Sequence, residues 1–104
     1  MEFKAGERLR MVRELMGLTR EEFADDMGLN AVRLKNVEYF KVRMSELEYD
    51  AVTEAFPELS CFVTHEGIIS AERLRSSSNP RLRLIISRLE ANDIDDNRAK
   101  DWIK

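Results

Sequence analysis

The 104-residue sequence has few of the residues that build catalytic centres, extracellular folds or flexible tails. It contains one cysteine, one histidine, two prolines and four glycines. A single cysteine cannot form a disulfide within the chain, and so little glycine and proline is not typical of a disordered protein. No segment approaches the roughly 18 apolar residues of a membrane span, and the charged start of the chain lacks a signal-peptide core. We therefore expect a cytoplasmic protein.

The scarcity of histidine and cysteine also argues against metal and catalytic centres. Cys61 and His65 have a Cys-x3-His spacing, but a structural zinc site typically needs four ligands, so we interpret Cys61 as buried and His65 as exposed. The pairs Asp25-Asp26 and Asp95-Asp96 would diverge on a helix and are interpreted as caps or solvated faces. No nucleophile lies near a base in the sequence. We therefore expect no enzyme activity, no metal and no cofactor.

Basic residues are missing altogether from the middle of the chain. Residues 46–72 contain seven Asp or Glu and no Lys or Arg. Residues 1–45 carry nine basic against eight acidic residues, and residues 73–104 carry eight against five. The net charge of −3 therefore combines an acidic central segment with two flanking segments that each carry more basic than acidic residues. A nucleic-acid surface could be built from the first segment, with help from the last, while the acidic segment faces away.

Apolar periodicity and capping residues predict four short helices in the first 56 residues. Gly17 and Gly28 would end two of them, Thr19 and Ser45 would each open one through a capping box, and Pro57 would close the fourth. The predicted ranges are Lys4 to Met16, Thr19 to Met27, Asn30 to Tyr39 and Ser45 to Phe56. On the fourth helix the residues predicted to face inward are Leu47, Ala51, Ala55 and Phe56.

The pattern is weaker after residue 57. Residues 57–66 fit either a helical turn or an extended strand, and we favour the helix. Residues 76–80, with the sequence SSSNP, are the best linker candidate. Asp95 is predicted to cap a last short helix that ends with Trp102. The predicted domains are residues 1–66 and a C-terminal helical extension, residues 67–104.

An apolar stripe with helical spacing i, i+3, i+4, i+7 follows the linker candidate. Its members are Leu82, Ile85, Ile86 and Leu89. The stripe either packs back on the domain as core or, in a sharper interpretation, forms a dimer interface or binds a partner protein.

The residues of the second and third helices resemble a known DNA-binding family. Leu18 to Ala24, then Gly28-Leu29-Asn30, then Leu34 to Glu38 look like the helix-turn-helix of phage repressor/Cro-type proteins, the Xre family. The likeness covers about residues 5–65. It implies an all-α fold, a compact bundle of about five helices of the lambda-repressor-like type. It also implies binding to operator DNA, usually as a two-fold dimer.

The resemblance also implies which residues meet DNA. Arg20 would approach a phosphate, and the start and outer face of the third helix would read base edges, with flanking cations on the backbone. The full expected set is Thr19, Arg20, Asn30, Ala31, Val32, Arg33, Lys35, Asn36, Lys41 and Arg43. Arg13 and Glu38 occupy positions that pair in many family members, so we expect an ion pair that holds the third helix against the first.

The sequence departs from the family pattern in two places. The glycine that usually ends the third helix is missing, and Tyr39-Phe40 stands there instead. Ala31 and Val32 cannot hydrogen-bond a base, although either can rest against a thymine methyl group.

Three functions remain open at this point. The first is a sequence-specific transcriptional regulator of phage or prophage type, with a repressor as the typical case. The second is an antitoxin-like regulator whose residues 73–104 also bind a partner protein. The third is a protein-interaction module that inhibits a host factor through Val32, Tyr39 and Phe40 and binds no DNA. In this third case the helix-turn-helix shape serves as a scaffold.

Overall fold

A computed structural model describes residues 4–65, 67–94 and 101–104. These residues form α-helices and one 3-10 turn, Pro57–Leu59, and no β-strand. The all-α class predicted from the sequence is therefore confirmed for this part of the chain. The helices are α1 (Ala5–Met16), α2 (Arg20–Met27), α3 (Ala31–Glu38), α4 (Glu46–Ala55), α5 (Ser60–His65), α6 (Ala71–Ser76) and α7 (Pro80–Glu90).

Local sequence signals set the ends of the first four helices. Capping boxes are present at Thr19 and Ser45, and the Asn30 side chain accepts two amides at the start of α3. Gly17 and Gly28 end α1 and α2 in the left-handed conformation, with φ of 70° and 68°. Glycine adopts this conformation without the Cβ penalty of other residues, so both helices stop where the sequence predicts.

A single buried apolar cluster joins all seven helices. Burying each large apolar side chain contributes about 1.5–3 kcal/mol, so short helices that are marginal alone are stabilised mainly by this cluster. Phe23 of α2 and Phe56, the residue after α4, stack with ring centroids 5.9 Å apart. One fully or almost fully buried member from each helix in turn is Leu9, Phe23, Leu34, Val52, Phe62, Leu74 and Ile85.

The apolar stripe of α7 belongs to this core. Leu82, Ile85 and Ile86 are buried within the chain, and Leu89 packs against them. The chain's own helices cover these side chains, so the stripe packs as core, the first of the two interpretations. α7 also touches α1 through Arg88, whose guanidinium donates to the carbonyl oxygens of Glu14, at 2.8 Å, and Leu15. The predicted boundary at residue 66 lies between α5 and α6 and stays a prediction.

Residues 57–65 are helical, as favoured from the sequence, since the 3-10 turn leads directly into α5; residue 66 lies outside the described residues. The linker candidate is shorter than predicted: Ser76 ends α6, and Pro80 is the first residue of α7. The apolar pattern of the sequence does not predict α6 as a separate helix. Cys61 is exposed rather than buried.

On α4, Leu47 is 55% exposed, although it was predicted to face inward. The buried face is centred on Glu48 and Val52 instead. Because Glu48 has a cationic partner on α3, described below, the helix turns this residue inward and leaves Leu47 in solvent. Phe56 is buried, and Ala51 and Ala55 are half-buried, as predicted.

Residues 101–104 pack against the helical core through Trp102 and Ile103. Ile103 forms an isolated parallel bridge with Ile69, where the Ile69 amide donates to the Trp102 carbonyl at 2.8 Å and the Lys104 amide donates to Ile69 at 3.0 Å. The Trp102 ring lies 5.5 Å from the ring of Phe62. The helix predicted to start at Asp95 falls mostly outside the described residues. Within the described ranges, no helix combines the length and the apolar character needed to cross a bilayer.

Candidate nucleic-acid interface

α2 and α3 are consecutive eight-residue helices joined by a tight turn at Gly28. The Gly28 amide donates to Asp25 at 3.2 Å, and the Leu29 amide donates to Ala24 at 2.8 Å. Leu34 and Val37 bury one side of α3. Because successive residues on a helix are about 100° apart, the opposite side faces outward.

The outward side of α3 carries Val32, Lys35 and Asn36. Val32 is 67% exposed, Lys35 is exposed, and Asn36 is half-buried. The loop after α3 adds two exposed cations, Lys41 and Arg43. The side chains of Lys35, Lys41 and Arg43 form no ion pair or hydrogen bond with the residues that the structure describes, and we call these three the free cations.

Glu38, at the end of α3, is a buried carboxylate that binds two arginines. Arg13 of α1 donates in bidentate fashion, Nε to Oε2 at 2.9 Å and Nη2 to Oε1 at 3.0 Å. The Arg13 and Glu38 side chains are 12% and 0% exposed. The third nitrogen, Nη1, donates to the Leu18 carbonyl at 2.9 Å. The pair expected from the resemblance is thus present, and it joins α1, the turn before α2, and α3.

Arg20 is the second partner of Glu38. Its Nε donates to Oε1 at 3.1 Å, and its Nη2 donates to the Tyr39 hydroxyl at 2.9 Å, with the guanidinium carbon 5.0 Å from the Tyr39 ring centroid. Burial lowers the pKa of Arg20, but the hydrogen bond and charge of Glu38 outweigh it, so the pKa is raised. Arg20, predicted to meet a phosphate, already has an anionic partner in the protein.

Arg33, also predicted to touch the DNA backbone, is bound to the fourth helix. Its Nε donates to Glu48 Oε2 at 2.6 Å, and its Nη2 donates to Glu48 Oε1 at 3.1 Å and to Ser45 Oγ at 3.0 Å. Burial opposes ionisation of Glu48, but the hydrogen bonds from Arg33 and Ser45 outweigh it and lower the pKa of this carboxyl. The hydrogen bond to Glu48 raises the pKa of Arg33. We call Arg13, Arg20 and Arg33 the paired arginines.

The other expected contact residues have local roles as well. The Thr19 hydroxyl accepts the Glu22 amide at 3.2 Å, and Asn30 Oδ1 accepts the amides of Val32, at 2.8 Å, and Arg33, at 3.2 Å. Ala31 is half-buried against the core. Because the cap uses Oδ1, the side-chain NH2 group of Asn30 is the polar group left for an outside partner.

The turn after α3 forms without glycine. Phe40 takes the left-handed conformation at φ 64° and is exposed. The Lys41 and Val42 amides both donate to the Asn36 carbonyl, at 2.9 and 3.3 Å, which closes the end of the helix. A bulky residue at positive φ is uncommon and strained, so the surrounding contacts hold Phe40 in place.

Gly6 of α1 lies next to Val37 and the Phe40 ring. A Cβ at position 6 would overlap the carbonyl oxygen of Val37 and touch the Phe40 ring. The glycine therefore lets the start of α1 approach the end of α3, next to the strained turn.

Sequence reasoning missed the Arg33–Glu48 and Arg20–Tyr39 contacts. A capping-box glutamate such as Glu48 is usually solvated, and only the packing of α3 on α4 turns it into the partner of Arg33. The residues predicted as an exposed apolar surface, Val32, Tyr39 and Phe40, are indeed all exposed.

Within the described segments, no group of three or more His, Cys, Asp or Glu side chains is arranged to hold a metal ion. The side chains that converge around α3 are arginines, glutamates and a tyrosine, which form ion pairs and hydrogen bonds with one another.

Comparison with known proteins adds no relative to this description. No protein-family model, curated protein or solved structure matches the chain. What can be said about function is therefore carried by the residues around α3.

Proposed function

We propose that this chain is a cytoplasmic, sequence-specific DNA-binding transcriptional regulator of the phage repressor/Cro type, with α2 and α3 acting as a lambda-repressor-like helix-turn-helix. The observation that carries the proposal is the outer side of α3. It combines an exposed apolar residue, Val32, an amide, Asn36, and the free cation Lys35, and the loop directly after α3 adds Lys41 and Arg43. In this arrangement α3 enters the major groove.

The free cations support binding to a polyanion. The chain carries more acidic than basic residues, yet three cations on and just after α3 have no carboxylate partner among the described residues. Each cation that neutralises a phosphate releases counterions, which gives binding energy that falls steeply with salt. The phosphate contacts proposed for Lys35, Lys41 and Arg43 would set the register of α3 in the groove.

The paired arginines would contribute in a different way. A guanidinium has five N–H donors, and two donors of Arg20 are used by Glu38 and Tyr39. The remaining donors can meet a phosphate without breaking the ion pair. Arg33 and Glu48 would hold the first turn of α3 at a fixed angle, so the reading residues arrive preorganised.

Base recognition is proposed for Val32 and Asn36. Asn36 can form a bidentate pair with adenine, and Val32 can rest against a thymine methyl group. Each matched base of this kind discriminates by about 1–3 kcal/mol. One such helix makes few contacts, so we propose a two-fold dimer on half-sites one helical turn apart. The dimer would use a surface other than the buried stripe of α7.

The test is selection of bound sequences from a random pool of duplex DNA by the full chain. An enriched two-fold symmetric site would support both the function and the dimer. Lys35→Glu should then abolish retention of the selected site. Arg73→Glu, the same charge change on the exposed face of α6, is the matched control and should retain binding. Failure to enrich any sequence would contradict the proposal.

A second candidate is favoured by one observation: Val32, Tyr39 and Phe40 are all exposed on α3 or directly after it. A protein-interaction module that inhibits a host factor would use such side chains as anchors. Val32→Gln separates the two functions. If α3 reads DNA, this variant should select a site with a different base preference. If α3 instead binds a host protein, the variant should weaken that complex, and neither the parent chain nor the variant should retain DNA.

A further inference from the structure

A cavity of about 480 Å³ lies between the start of α1, the end of α3 and the start of α4. This volume falls within the range of roughly 300–1,000 Å³ typical of small-molecule sites. Most of its lining is apolar or aromatic. The lining side chains used below are Ala5, Val37, Phe40, Val42, Met44 and Tyr49.

Two cations also line the cavity, Lys4 and Arg43. The Lys4 ammonium lies 4.7 Å from the centroid of the Phe40 ring, and the exposed Arg43 guanidinium has no hydrogen bond or ion pair with any described residue. No carboxylate is present among the described residues that line the cavity. The site therefore offers apolar side chains next to positive charge that no described lining residue compensates.

We propose that this cavity binds a small amphipathic carboxylate, a molecule with an apolar or aromatic body and one anionic group. The body would lie among Val42, Met44 and the rings of Phe40 and Tyr49. The anionic group would meet Arg43, whose planar guanidinium matches a carboxylate in bidentate geometry, and Lys4 would add a second charge. Lys4 and Arg43 would repel a cation, and a neutral polar molecule has no negative charge for them to attract.

The strained turn is an independent observation at the same place. Phe40 is held at φ 64° although it is not glycine, and its side chain lines the cavity. Strained backbone residues cluster at ligand clamps and switch regions, where the strained conformation places a side chain that an unstrained one would not. Here the left-handed turn places an aromatic ring beside Lys4.

The position of the cavity connects the ligand to α3, and this step rests on the proposed function. The amides of Lys41 and Val42 are bonded to the Asn36 carbonyl, so the cavity wall and the reading helix share a turn. A carboxylate bound to Arg43 would also neutralise a cation proposed to meet a phosphate. The ligand is therefore expected to lower the affinity for DNA, as an inducer does.

The binding test uses the full chain without DNA and 4-phenylbutyrate as the probe. Amide resonances of Gly6, Phe40, Val42 and Met44 are followed by NMR during the titration. We expect saturable shifts with a Kd of about 1 mM, the range for so small a molecule. The neutral analogue 4-phenylbutyramide should bind about tenfold more weakly, because it lacks the charge.

Three variants locate the site. Arg43→Gln should weaken the probe about tenfold, whereas Lys41→Gln, a cation on the same loop that does not line the cavity, should leave the probe affinity unchanged. Ala5→Leu should narrow the cavity and weaken binding while the amide spectrum shows that α1 remains folded. The proposal is overturned if the amide binds as tightly as the carboxylate, if Lys41→Gln weakens binding as much as Arg43→Gln, or if Ala5→Leu binds normally.

A second arm separates this site from the proposed function. Binding of the probe to the free chain is measured first, and its effect on retention of a selected DNA site second. Probe binding without any DNA selection would leave the cavity site standing and remove the proposed function. DNA selection without probe shifts would overturn the cavity site and leave the proposed function standing. Probe binding that leaves DNA affinity unchanged would overturn only the inducer role.

Discussion

Two sets of cations surround α3, and they differ in what holds them. The paired arginines are bound to the buried carboxylates Glu38 and Glu48, whereas the free cations meet no acidic group among the residues that the structure describes. The first set joins α3 to α1, α2 and α4. The second set stays available for an outside partner. The difference teaches that positive charge near a candidate DNA-binding helix is of two kinds, one for the fold and one for binding.

The chemistry of the side chains fits this division for five of these six cations, and Arg43, an exposed arginine, is the exception. A guanidinium donates along a planar fork and matches a buried carboxylate in bidentate geometry, as Arg13 and Arg33 do here. A lysine ammonium is more strongly hydrated and stays at the surface, as Lys35 and Lys41 do. α3 has only eight residues and would be marginal alone, so its ion pairs to three neighbouring helices contribute to its position.

The largest effect is expected when the most buried pair is broken. Glu38→Gln leaves Arg13 and Arg20 without a counter-ion and should lower the free energy of unfolding by about 3–5 kcal/mol. Urea unfolding followed by circular dichroism measures the loss. The control is Glu14→Gln, which removes the exposed Arg10–Glu14 pair, 43% and 35% exposed, and should cost below about 0.5 kcal/mol. Equal losses in the two variants would contradict the comparison.

A smaller, pH-dependent effect is expected at the second pair, because the Arg33 side chain is 34% exposed. The folded state lowers the pKa of Glu48 below its ordinary value of 4.5, so the unfolded chain takes up this proton first. The pair therefore stabilises the protein above about pH 4.5, and the contribution is lost as the pH falls through the lowered pKa. Arg33→Gln should be less stable than the parent chain at pH 7.

The measurement for this pair is urea unfolding of both chains from pH 7 to pH 3. The difference in free energy of unfolding should begin to narrow near pH 4.5, where the unfolded chain takes up the Glu48 proton, and should continue to narrow until the pH passes through the lowered pKa of Glu48 in the folded chain. A difference that stays constant over the whole range would show that Arg33 acts by packing rather than by its charge.

A change of about 1 kcal/mol is expected at the turn that carries the free cations of the loop. Phe40→Gly and Phe40→Ala both remove the ring, but only alanine keeps a Cβ at φ 64°. Phe40→Gly should therefore be more stable than Phe40→Ala by about 1 kcal/mol. At Tyr39, where φ is −94°, the order should reverse by about 0.5–1 kcal/mol, because glycine costs entropy there. Thermal or urea unfolding of the four variants checks both signs.

The smallest effect on stability is expected from a free cation. Lys41→Gln should change the free energy of unfolding by less than about 0.5 kcal/mol. If the proposed function holds, the same variant should reduce the slope of log affinity against log salt by about 1. A large loss of stability would show that Lys41 contributes to the fold, as the paired arginines do.

The ends of the early helices could be predicted because their signals are local. Thr19, Asn30 and Ser45 act within three residues of themselves, so their roles do not depend on the rest of the fold. The position of Glu38 opposite Arg13 came from the resemblance and agrees with the structure. α6 was missed because a six-residue helix with one buried residue, Leu74, has no readable periodicity.

The remaining features depend on packing between helices. Arg33 and Glu48 are 15 residues apart, and nothing in either segment shows that α3 and α4 bring them together. The glycine that usually follows such a helix is missing after α3, yet the chain makes the left-handed turn with Phe40, because the contacts around it outweigh the local preference. For the same reason Leu47 and Cys61 lie in solvent, since burial is decided by neighbours that the sequence pattern does not show.

The contact between Arg88 and the end of α1 has a consequence for protein synthesis. Arg88 lies 74 residues after Glu14, so the last turn of α1 lacks this donor until α7 has been made. At translation rates of roughly 5–20 residues per second, α1 waits about 4–15 seconds for its final cover. The buried face of α1, including Leu9 and Leu15, is incompletely covered during that interval. A ribosome-bound chain stopped before residue 88 should therefore be the form in which this protein most needs a chaperone.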